Sequence, residues 1–120
     1  IDYGHAEPRA GSTLQAVREH KKVDPLAAPG EADLTAHVDF ATLADIARSR
    51  VATWLGTVGQ GAWLRALGIE ARAEALACFA PEHRDALMQA KDRLTGDGQM
   101  GQLFKVMGLT GPDWPEGVGF

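Results

Sequence analysis

Apolar residues recur along this chain with two periods, and the switches between them mark its elements. Phe40, Leu43, Ala44 and Ala47 fall at i, i+3, i+4 and i+7, one face of a helix over about Phe40 to Ser49. Asp39 precedes that face as an N-cap, its carboxylate placed to accept a free amide of the first turn. Val51-Ala52-Thr53-Trp54-Leu55-Gly56-Thr57-Val58 is rich in β-branched and aromatic residues and predicts a strand. Three helical pieces follow. Gly61 to Leu67 is closed by Gly68, and Glu70 to Phe79, with Ala73, Leu76 and Ala77 on one stripe, ends before Pro81. Pro81 opens the third, with Glu82 and Asp85 complementing its N-terminal dipole and Leu87, Ala90 and Leu94 facing inward; Thr95-Gly96-Asp97-Gly98 stops it. Gln102 to Thr110 reads as a last strand, apolar on both faces except at Lys105, and such a strand lies inside a covered sheet.

The first third is less regular. Residues 1–12 read as a loop after a truncated strand, and Thr13 to Arg18 alternates as a short strand with Leu14 and Ala16 on one side and Val17 on the other. Val23 to Asp33 holds Pro25, Pro29 and Gly30, which exclude a helix or a central strand, and Leu34 to Val38 is extended. The tail from Gly111 to Phe120 is irregular.

Composition narrows this to one domain. With 120 residues, 45% hydrophobic and 23% charged, the chain has room for a single core and is not disordered. A net charge of −4, with no basic run denser than Arg18-Glu19-His20-Lys21-Lys22, argues against nucleic-acid binding and polybasic lipid anchoring. No stretch approaches the ~20 apolar residues of a membrane span. Cys78, the single cysteine, sits beside Phe79 near a helix's apolar face and predicts inert packing. The opening Ile1-Asp2-Tyr3-Gly4 lacks a signal peptide's basic and apolar regions and reads as the end of a strand, so a fragment or processed piece of a longer protein is expected.

Two polar clusters could carry chemistry. In an extended Thr35-Ala36-His37-Val38-Asp39 the side chains of His37 and Asp39 project to one side, as a metal half-site or as a base with its orienting carboxylate; equally, Asp39 is only a helix cap and His37 lines a loop. Asp2-Tyr3-Gly4-His5 follows a buried strand, where open α/β sheets bind ligands, or is an ordinary turn. No His-x-x-x-His, His-Glu-x-x-His or Cys-x-x-Cys spacing supplies further metal ligands. Gly59-Gln60-Gly61 lacks the dinucleotide-binding pattern, and Trp54 and Trp63 read as core.

The ordered motifs Ile1-Asp2-Tyr3-Gly4-His5, Thr13-Leu14-Gln15-Ala16-Val17, Asp24-Pro25-Leu26, Pro29 to Phe40, Gly56 to Gly61, Leu67 to Arg72 and Met100 to Val106 resemble the C-terminal part of the MidA-like methyltransferases, over roughly residues 1–110. This family includes the mitochondrial complex I assembly arginine methyltransferase. The resemblance implies an α/β fold, the C-terminal portion of a class I, Rossmann-like methyltransferase sheet. Ile1-Asp2 would end the fifth strand, Val51–Val58 would be the sixth and Leu103–Leu109 the antiparallel seventh, with a helical insertion over about 61–95 in a single partial domain. It implies S-adenosylmethionine as the cofactor of the whole protein and a protein arginine, on a respiratory complex I subunit, as acceptor. It implies a bacterial cytoplasmic or mitochondrial matrix location. The family's glycine-rich loop, ribose-binding acid and Asn-Glu segment lie upstream, so this chain alone is expected to bind no cofactor. Gly59 stands where relatives often have Thr, and some carry an acid at the position of His37. Asp2, His5, His37 and Asp39 are the residues expected to line the acceptor pocket. The alternative is a non-catalytic interaction or assembly module. Leu103, Phe104, Val106, Met107 and Leu109 would pair with central strands expected to be lacking here, which predicts a dimer or strand-exchanged assembly.

Overall fold

A computed structural model describes residues 1–120 as seven strands and five helices in two sheets. The main sheet contains β1 (Asp2–His5), β5 (Val38–Asp39), β6 (Thr53–Gly59) and β7 (Phe104–Thr110), in the order β5-β1-β7-β6. β7 runs antiparallel to both β1 and β6, so those two are parallel to each other, while β1 and β5 pair in parallel through Gly4 opposite Val38 and His5 opposite Asp39. α1 (Phe40–Arg48) links β5 to β6 as the crossover that a parallel connection requires. It buries Phe40, Ala44 and Ala47, while Leu43 stays 42% exposed. The Phe40 ring lies against Gly4, where a Cβ would come within 2.9 Å of it, so the sheet is pinned to α1 at a residue that has no side chain.

The strand expected to end at Asp2 continues to His5, because Tyr3 pairs with Phe104 and His5 with Asp39. The expected exposed edge of the last strand is also corrected. β7 is hydrogen-bonded on both sides within the chain, which removes the reason for strand exchange through it.

A second sheet orders β3 (Lys21–Val23), β2 (Gln15–Arg18) and β4 (Asp33–Thr35). β2 and β3 form a hairpin with Arg18 opposite Lys21, and the two turn residues Glu19 and His20 hold φ of 50° and 62°. That geometry is usually supplied by Asn-Gly, so nothing in the residue types announced it.

Between β6 and β7 stand α2 (Gln60–Ala66), α3 (Ile69–Phe79), a 3₁₀ turn at Pro81–His83, α4 (Arg84–Thr95) and α5 (Met100–Leu103), so the strand expected from Gln102 begins at Phe104 instead. The helices meet at the end of α4. Buried Gln60 donates from Nε2 to the Leu94 carbonyl (2.9 Å), Arg65 donates to the Thr95 carbonyl (2.8 Å), and the Thr95 hydroxyl donates to the Lys91 carbonyl (2.9 Å). Side chains thus cap carbonyls that a helix end leaves free. Gly61 and Gly101 lie against the Thr95 carbonyl with no room for a methyl group. Elsewhere the packing is thin. Ala73 and Ala77 are buried, but Ala90 is exposed, and so are Cys78 and its neighbour Phe79 at 90%. The expected packing role of Cys78 is overturned, since its side of α3 has nothing to pack against.

Gly61→Ala and Gly101→Ala should each lose about 1–3 kcal/mol, because Thr95 is tied from both sides and cannot yield. Gly98→Ala, with nothing within 4 Å of the new methyl, should be close to neutral. Thermal melts of the three variants separate the two cases.

Candidate functional site

The residues singled out for chemistry divide between the two faces of the main sheet. Side chains alternate along β1, so Asp2 and Gly4 face α1 while Tyr3 and His5 face the other way. Asp2 stands opposite Lys105 and accepts from the Tyr3 amide (2.8 Å); it does not join the other three. His5 and Asp39 are register partners across the parallel pair, at the carboxyl end of β1. His37 joins them by way of Tyr3. Its ring meets the Tyr3 ring edge-on at 5.6 Å, Tyr3 meets Phe104 in the same manner at 5.8 Å, and the His37 amide donates to the Thr13 hydroxyl (3.0 Å). The direct His37–Asp39 pairing does not form. Tyr3, named in a polar cluster but given no role of its own, and Phe104 are the neighbours that sequence spacing did not connect to His37.

Asp39 has its structural role. Oδ1 accepts from the Thr42 amide (3.0 Å) and Oδ2 from the Thr42 hydroxyl (2.8 Å), closing the first turn of α1. These two bonds hold its carboxyl below the usual range, the amide contributing most, with a smaller contribution from His5; partial desolvation opposes them. The carboxylate stays ionised 3.7 Å from His5 Nδ1. That same Nδ1 lies 2.9 Å from the Glu7 carbonyl. A carbonyl oxygen only accepts, so Nδ1 carries the proton and Nε2 of neutral His5 keeps its lone pair. Such an arrangement can serve as a base, with its tautomer set by backbone and an anion 3.7 Å from the imidazole. No cluster of three metal-ligating side chains forms here or elsewhere.

The glycine turn at Gly59-Gln60-Gly61 does not fit a nucleotide-type cofactor. Gln60 is buried against α4, a Cβ on Gly59 would meet the Gly101 carbonyl at 2.9 Å, and the space over Gly61 is filled by Thr95. The protein itself occupies the place a phosphate or nucleoside would take.

A parallel pair, a crossover helix and an antiparallel final strand, with polar groups at a strand's carboxyl end, define a portion of a class I methyltransferase. The family model "Putative S-adenosyl-L-methionine-dependent methyltransferase" matches residues 1–58. The chain is 40% identical over 111 residues to the mitochondrial protein arginine methyltransferase NDUFAF7 homolog of Drosophila melanogaster, covering 91% of the chain and 25% of that protein. To the human NDUFAF7 it is 38% identical over 110 residues, covering 90% of the chain and 24% of that protein. Two solved Burkholderia thailandensis structures align at 29% identity. An uncharacterised protein has a TM-score of 0.80, over 92% of this chain and 31% of its own. One bound to S-adenosyl-homocysteine has 0.78, over 91% and 30%. These matches support a portion of a MidA-like S-adenosylmethionine-dependent methyltransferase, and the chain spans about a quarter of the length of the curated relatives it matches.

Asp39 lets capping be separated from ionisation. Asp39→Ala should lower the melting temperature, and Asp39→Ser should restore most of the loss. A carboxyl held low when folded stabilises the fold above its unfolded value, and that part is lost as pH falls through the folded value. The advantage of the parent over Asp39→Asn should therefore shrink between about pH 7 and about pH 3, read from urea midpoints at each pH.

Proposed function

We propose that this chain supplies the acceptor side of an S-adenosylmethionine-dependent protein arginine methyltransferase, as one partial domain in which the helices over about 61–95 are an insertion. The family match and the names of the relatives support the reaction class and the arginine acceptor. The observation that carries the residue roles is His5, with Nδ1 committed to the Glu7 carbonyl and Nε2 open. S-adenosylmethionine supplies an electrophilic methyl group, and its own site lies outside these residues. A guanidinium nitrogen that gains a methyl group must shed one proton. His5 Nε2 takes it as the new bond raises that nitrogen's acidity, and Asp39 stabilises the resulting imidazolium. Tyr3, His37 and Phe104 form an aromatic wall against which a planar guanidinium stacks. By resemblance, the acceptor protein is a respiratory complex I subunit, met in a mitochondrial matrix or a bacterial cytoplasm.

A non-catalytic assembly role is the second reading. It is favoured by the apolar surface left open, with Phe79 90%, Leu26 81% and Trp114 73% exposed.

In a polypeptide extended to the relatives' length, His5→Gln should cut methyl transfer by about 10²-fold or more while leaving cofactor affinity unchanged. Turnover measured beside calorimetric titration of S-adenosylmethionine tests this, and unchanged turnover removes His5 from the mechanism. The 120-residue chain alone should show no heat of cofactor binding, and tight binding would overturn the placement of the cofactor site.

A further inference from the structure

A polar cleft of about 280 Å³ opens beside His37, between that residue and the second sheet. Arg9, Ser12, Thr13, Gln15 and Lys22 line it with His37, and Leu14 is its one apolar wall. Arg9 and Lys22 are donors only, and the other polar side chains can each donate as well as accept. The Thr13 hydroxyl oxygen already accepts from the His37 amide, and the Ser12 oxygen accepts from the Leu14 amide (3.2 Å), so each has its own O–H left to give. Arg9 and Lys22 form no ion pair, although most of the chain's other arginines do. No carboxylate lines the cleft. Asp33 on β4 and Lys22 on β3 share one face of the second sheet, but both pair opposite Val17 of the intervening β2, about 10 Å apart across two strand spacings. Two uncompensated cations and two free hydroxyl donors thus converge in a chain whose net charge is −4.

We propose that this cleft binds a carboxylate-bearing segment of the acceptor protein, holding acidic residues next to the one that enters against Tyr3 and His37. The assignment rests on the protein-substrate reading, and the cleft's contact with His37 makes the two sites continuous. Two exposed cations beside two hydroxyl donors suit a carboxylate, which accepts through two oxygens. A phosphate on the same segment has the same chemistry and is the alternative source.

The test titrates the 120-residue chain, without cofactor, with a fluorescent glutamate-rich peptide, its glutamine-matched twin and a phosphoserine version. The glutamate peptide should bind about tenfold tighter than its twin at low salt, the scale of two surface ion pairs. The preference should fade near about 0.5 M salt. It should vanish in Arg9→Glu/Lys22→Glu. Both residues are exposed and unpartnered, and Arg9→Gln/Lys22→Gln, checked by its melting curve, serves if charge reversal disturbs folding. Equal binding of the two peptides overturns the proposal, as does a preference that survives both double variants. Binding of the phosphopeptide with none of the glutamate peptide overturns the carboxylate assignment. Because no cofactor is present, acidic-peptide binding that persists while an extended polypeptide methylates nothing would sink the methyltransferase reading alone.

Discussion

β7 carries hydrogen bonds on both edges, and the other parts of the main sheet take their positions from it. Through Tyr3 opposite Phe104 it fixes β1, which presents His5 to Asp39; through six register pairs from Thr53 to Gly59 it fixes β6 and the helices that follow. A sheet strand with only one neighbour leaves half its amides and carbonyls to water. Here the strand that closes the helical unit also braces the N-terminal one, over a sequence separation of about a hundred residues. Such a pairing must repay its loop-closure entropy from many bonds at once. The residues proposed to face the acceptor are therefore only as well placed as this one ladder.

On that ladder the site uses backbone where many sites use side chains. His5 is oriented by a carbonyl two residues along, and Asp39 by the amide it caps. Neither partner can be lost to an ordinary substitution, so the geometry survives sequence change as long as the turn after β1 and the start of α1 keep their shape. Tyr3 plays a double part, pairing in the sheet by its backbone and holding His37 by its ring.

Much of this was legible because local rules and tertiary needs agreed. The apolar stripe of Phe40, Ala44 and Ala47, the Asp39 cap and the stop at Gly68 each follow from one short-range cause, and the structure keeps them. The misses have long-range causes. Gln60 looked like an unremarkable polar residue, and only the distant end of α4 explains its burial. Gln102 and Leu103 continue the apolar run of the last strand by pattern, yet they close a helical turn whose Gly101 lies against the Thr95 carbonyl. The hairpin at Glu19-His20 adopts a turn that its residue types disfavour. His37 was matched to Asp39 by spacing, yet Tyr3, from another strand, is what holds its ring. Asp2 was grouped with His5 by adjacency, although alternation along a strand sends neighbours to opposite sides.

The principal-axis extents of 49 × 44 × 21 Å and a radius of gyration of 17.9 Å describe a plate, where a compact chain of this length has about 14 Å. Its accessible surface is 8413 Å², against about 6,300 Å² for a folded monomer of 12.8 kDa. The excess, about 2,100 Å² on this one chain, falls within the roughly 1,000–2,500 Å² that each partner loses in a permanent interface. Only 11 of 120 residues are buried, so the plate's broad face is a boundary rather than a finished exterior. Whatever lies on that face recognises the folded chain and not the unfolded one, and by mass action it raises the stability of the strand ladder that aims His5.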